Sequence, residues 1–203
     1  MSSSADTRDN PLNTIATATQ AAAGEKTVPA ALLYAIAVLV AVLDQVVKVW
    51  AYNNLRPLGH AGIPLIAEVF HLTYTENKGM AFSLLQGQRV FLIAAAVLVM
   101  SGIVWAQRRI GSRVPALLAT SLGLALGGAL GNGIDRALRG FVVDLFDARF
   151  INFPIFNVAD TAITVGIVLL AWRVAVTPTP EIDANEPEPP SLIHAGAPEG
   201  KQR

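Results

Sequence analysis

Apolar residues run with little interruption through AALLYAIAVLVAVLDQVVKVW (30–50), VFLIAAAVLVMSGIVWA (90–106) and VPALLATSLGLALGGALGNGI (114–134). A fourth run, IFNVADTAITVGIVLLAW, starts at Ile155 and continues to Val176. As a helix rising about 1.5 Å per residue, each can cross a hydrocarbon layer of about 30 Å. Between the first two runs the period changes. In VFHLTYT (69–75), Phe70, Leu72 and Tyr74 alternate with His71, Thr73 and Thr75, which predicts a short strand with one apolar face. Asn77-Lys78-Gly79 supplies turn chemistry, and MAFSLL (80–85) follows as a second extended or re-entrant segment. GFVVDLF (140–146) offers another strand. The pattern therefore predicts an all-α membrane protein: four transmembrane helices with a small extracytoplasmic β-sheet at the membrane surface.

Charge orients this plan. The short loop QRRIGSR (107–113) between the second and third runs holds Arg108, Arg109 and Arg113, and short basic loops stay cytoplasmic. Both termini are then cytoplasmic, and the segments 51–89 and 135–154 face outward. The first run is read as a retained span: no small-residue cleavage site follows it, and it continues into DQVVKVW. The ends differ in composition. Residues 1–28 are rich in Ser, Thr, Ala and Asp, and 177–203 in Pro and acidic residues, so both are expected to be disordered cytoplasmic tails around a four-span domain at 29–176.

At 53% hydrophobic and 15% charged the chain is too apolar for a soluble domain. The net charge of zero and the absence of a basic face argue against a nucleic-acid partner. With no cysteine, thiol nucleophiles, disulfides and Cys-based metal sites are excluded.

In this topology the intramembrane polar groups fall at one level. Asp44 and Lys48 lie four apart at the outer end of the first span; Asn132, Asp135 and Arg136 lie at the outer end of the third. Asn157 and Asp160 lie at the outer start of the fourth, with Asp160 two turns into an apolar stretch; Asn77 and Asp144 sit in the outer loops. Ion pairs explain some of these, Asp44 with Lys48 and Asp135 with Arg136. The two amides can join packed helices, and Gly123, Gly127, Gly128, Gly131 and Gly133 can allow close helix contact. Asp144 and Asp160 have no basic residue three or four positions away, and an unpaired intramembrane carboxylate is a candidate for function. Two such carboxylates brought together would share one proton, giving an acid and a base near neutral pH, as aspartic proteolysis requires. Asp147 is read as a solvated loop charge.

Five blocks in order, DQVVKVW (44–50), ENKGMAFSLL (76–85), GGALGNGIDR (127–136), FVVDLF (141–146) and FNVADTAI (156–163), resemble lipoprotein signal peptidase, the signal peptidase II family. The resemblance covers about residues 30–176. It implies a bacterial inner-membrane aspartic endopeptidase that cuts prolipoproteins before a diacylglyceryl-modified cysteine, working beside membrane lipid, as a monomer and without metal or organic cofactor. It implies that Asp144 and Asp160 are catalytic, and that Asp44, Lys48, Asn77, Asn132, Asp135, Arg136 and Asn157 line or support the site. The departures are Gly133, where a larger apolar residue is usual, and a short segment between Asp144 and Asp160. Rival intramembrane proteases fail on residues: His60, His71 and His194 lie outside the spans, H-E-x-x-H is absent, and GNGID misses Gly-x-Gly-Asp by one position. The alternative from another class is a four-span proton-coupled transporter or scaffold with Asp160 as proton relay, which calls for polar groups at the midplane and on both sides.

Overall fold

The computed structural model describes residues 26–79, 85–151 and 153–177. The expected tails lie outside these residues apart from 26–28 and Thr177, as does MAFSLL up to Leu84. Among the described residues, four helices are long and apolar enough to cross a membrane: α1 (Ala31–Asn54), α2 (Arg89–Ile110), α3 (Ala116–Leu138) and α4 (Val158–Val176). The helix α2 runs further than its apolar run, so Arg108 and Arg109 form its last turn, where cations suit the helix dipole. It stops at Gly111, whose φ of 109° is open to glycine. The helix α4 starts later than its apolar run. Asn157 caps it, its side chain accepting from the Asp160 amide while the Asp160 carboxylate accepts from the Asn157 amide. Asp160 is thus a first-turn residue of α4, not one two turns inside it.

The central helix is α3, with α1 and α4 packed closely on it and α2 resting against it. Glycine makes this possible. A Cβ on Gly127 would stand 2.6 Å from Ala37 O of α1, and one on Gly128 would run into Ala159 O of α4. Gly131 sits against Asp44, and Gly166 of α4 reciprocates against Ser121 O. Gly133 differs: its nearest neighbour would be Ala96 Cβ of α2, at 4.0 Å. On the side carrying Arg113, a two-stranded ladder joins β1 (Thr27–Pro29) to β4 (Arg113–Pro115), and Arg113 donates to Thr27 O at 2.9 Å. The strand β1 lies partly within the stretch read as tail.

At the opposite end, β2 (Ile63–Ile66), β3 (Phe70–Asn77) and β5 (Val142–Ala148) form an antiparallel sheet in the order β2-β3-β5. Both predicted strands are present, each shifted by one or two residues. A bulge separates two registers of β3 on β5: Leu72 pairs with Phe146, but Thr75 pairs with Asp144, so Thr73 and Tyr74 together oppose Leu145. The extra residue changes the parity of β3. Phe70 and Leu72 share a face with Phe146 before the bulge; Thr75 and Asn77 share it with Asp144 after it.

The single apolar face expected of β3 is not what forms. His71, Thr73 and Tyr74 are all buried, because the other face is covered too. Tyr74 packs with Ala51 and Leu55 at the end of α1, and the irregular segment Arg56–Ala61 lies against β3, with Arg149 bridging to His60 O at 3.1 Å. Asp147 is likewise no solvated loop charge. It lies on β5, buried, accepting from Thr73 Oγ1 at 2.9 Å and from Arg149 Nε at 2.8 Å. Its ion pair is local, two residues along the chain, and depends on the strand continuing past Phe146.

Candidate active site

Lys48 and Asp44, four apart on α1, are both fully buried and paired at 2.8 Å. A buried charge is tolerated only when its partners are complete, and here they are. Lys48 Nζ also reaches Asp135 Oδ2 at 3.1 Å and donates to Asn132 Oδ1 at 2.8 Å, using all three protons. The second oxygen of Asp44 accepts from Ala159 N at 2.9 Å, one of the free amides at the start of α4. Asp135 does not pair with its neighbour Arg136. Helix geometry points Arg136 away and brings Arg139, one turn on, onto the Asp135 carboxylate. The other Asp135 oxygen accepts from Val143 N at 3.1 Å, which fixes the start of β5. That contact requires the chain to double back after α3, and it does so at Gly140, with φ 85°.

Gln45 and Arg139 join this cluster without having been singled out in the sequence. Gln45 Nε2 reaches Asp135 Oδ1 and Gly131 O, both at 3.1 Å, and Arg139 reaches Gln45 Oε1 at 3.2 Å. The i+4 spacing of Asp135 and Arg139 was a readable signal; nothing in sequence marked Gln45.

The two candidate carboxylates meet around two amides. Asn157 Nδ2 donates to Asp144 Oδ1 at 2.6 Å, while its Oδ1 accepts from Asp160 N at 2.9 Å. Asn132 Nδ2 donates to Asp160 Oδ1 at 2.7 Å, and its oxygen accepts from Asn157 Nδ2 at 3.2 Å. Asn77 Nδ2 completes the shell of Asp144, reaching Oδ2 at 3.1 Å. Gly79 N holds the Asn77 oxygen at 3.0 Å, and Arg136 donates to Gly79 O at 2.9 Å, so α3 clamps the turn that presents Asn77. The predicted residues thus fall into two linked groups: Asp44, Lys48 and Asp135 as a buried ionic brace, and Asn77, Asn132, Arg136 and Asn157 around Asp144 and Asp160.

The carboxylates differ in setting. Asp144 is 1% exposed, and Asp160 is half-buried. Burial, reinforced by the nearby Asp160 charge, pushes the Asp144 carboxyl up to about 7; the Asn77 and Asn157 donors hold it back. Asp144 therefore titrates near neutral pH and can carry a proton there. Among the described residues, no group of three His, Cys, Asp or Glu side chains is placed to hold a metal ion.

Residues 36–176 match the family model described as signal peptidase (SPase) II. A lipoprotein signal peptidase of Brevibacillus brevis is 48% identical over 141 residues, covering 70% of this chain and 93% of that protein. One from Clostridioides difficile is 43% identical over 145 residues, covering 70% and 95%. Two solved structures described as bacterial membrane enzymes align at 29% and 28% identity, with TM-scores of 0.65 and 0.64. They cover 70% and 72% of this chain, and 87% and 94% of their own. The chain belongs to the signal peptidase II family.

Proposed function

We propose that this member of the signal peptidase II family removes signal peptides from prolipoproteins in the bacterial inner membrane. It cuts the bond before a diacylglyceryl-modified cysteine, with Asp144 and Asp160 as its catalytic pair. The observation that carries the assignment is the shared cradle: Asn157 binds both carboxyl groups, while a separate set of residues neutralises the remaining buried charge.

The chemistry follows from the difference between the two. Asp144, the buried partner raised to about 7, holds the proton and is the acid. Asp160, half open and held by Asn132, is the base. Asp160 takes a proton from water as its oxygen attacks the scissile carbonyl carbon, and Asp144 protonates the carbonyl oxygen. Collapse of the tetrahedral intermediate returns the Asp144 proton and passes the Asp160 proton to the departing cysteine amine. The supporting residues are Asp44, Lys48, Asn77, Asn132, Asp135, Arg136 and Asn157. An extended peptide docks beside the sheet while its lipid stays in the bilayer. The site lies at the extracytoplasmic surface, with both termini, tails included, in the cytoplasm and the chain acting as a monomer. The proton-relay alternative loses its support, since the buried charged groups of the helices, Asp44, Lys48 and Asp135, sit together at one end.

Cleavage of a diacylglyceryl-modified prolipoprotein by the purified protein in detergent tests this. Asp144→Asn and Asp160→Asn each abolish turnover while preserving the thermal transition; turnover by either variant removes the pair.

A further inference from the structure

The amide of Asn132 has to face the right way. An ammonium group only donates, so the Asn132 atom 2.8 Å from Lys48 Nζ is its oxygen, whatever the density of donors elsewhere. With the oxygen held there, and accepting also from Asn157, the nitrogen is left to donate to Asp160 Oδ1 at 2.7 Å. A flipped amide would set its NH2 against the ammonium and its oxygen against the carboxylate. Lys48 meanwhile lies on α1, fully buried, bonded to Asp44, Asp135 and Asn132, and it acts on Asp144 only through its charge, which both variants below remove alike.

We propose that Lys48 is a positioning residue: it fixes the Asn132 amide in the one orientation that donates to Asp160. The inference rests on the reading of Asp160 as half of the catalytic pair and goes beyond the role of Lys48 as an ionic brace. The two roles separate because bracing needs charge balance, whereas orientation needs a donor at one atom.

Removing Lys48 alone would strand Asp44, so the test uses two double variants of equal charge. Lys48→Gln with Asp44→Asn keeps an N–H donor on this side chain, one atom shorter than lysine and on the Asn132 side of α1; Lys48→Met with Asp44→Asn has none. Both keep Asp135 paired with Arg139 and retain an acceptor for Ala159 N. In the prolipoprotein assay, the Met variant loses about tenfold or more in kcat relative to the Gln variant, with KM the same within about twofold, as expected when a transition-state contact and not uniform binding is lost. Their thermal transitions coincide. Equal kcat in the two overturns the inference. If Asp160→Asn itself turned over, the catalytic reading would fail instead, and that outcome is visible independently of this comparison.

Discussion

Asn157 does two jobs with one amide, and they come apart by substitution. Its oxygen caps α4 and its nitrogen binds Asp144. Serine is as good a cap as asparagine but cannot reach across, so Asn157→Ser keeps the thermal transition near that of the parent. Asn157→Ala costs about 1 kcal/mol of helix stability on top. The pH profile reports the other job. Donors to Asp144 favour its ionised form, so losing one raises its pKa from about 7, and the proposed acid stays protonated to higher pH. Asn77→Ala and Asn157→Ser therefore both move the alkaline limb of kcat/KM upward; a downward move would contradict Asp144 as the acid. The sequence exposed most of these groups because polar residues stand out against apolar spans. It could not show which residue Asp135 pairs with, since Arg136 and Arg139 are both basic and only the helical turn decides between them.

Among the elements, the α3–α4 contact determines how well the two halves of the site meet. Gly128→Val drives a side chain into Ala159 O and the Ile163 side chain, pushing away the turn that carries Asp160. It lowers both the thermal midpoint and turnover. Gly133→Ala meets only Ala96 Cβ at 4.0 Å and gains about 1 kcal/mol from helix propensity. Chemical melting of both variants distinguishes a packing glycine from a permissive one. The spans were legible from hydropathy to within a few residues, and the strands from alternation. The bulge was not. One extra residue in β3 moves Asn77 onto the Asp144 face, and a period of two counted along one strand carries no trace of what happens on its neighbour.

At the scale of the molecule, the expectation of a site on the outer surface can be checked on a chain that contains no cysteine to interfere. A single cysteine at Lys78 reacts with a membrane-impermeant maleimide on intact spheroplasts, and one at Arg109 reacts only after lysis; the reverse pattern would invert the topology. The four-helix plan and the polar cluster at one end were both readable, because a bilayer makes every buried charge conspicuous. What stayed hidden was how those charges divide into a buried ionic brace and the pair proposed to be catalytic. That division has a bearing on how the protein is made. Asp44 enters the bilayer on the first helix, yet the backbone amide it accepts from, on Ala159, is 115 residues later in synthesis. At about 5–20 residues per second, the ribosome leaves that carboxylate without its last donor for roughly ten seconds. A chain broken off before α4 would never satisfy it.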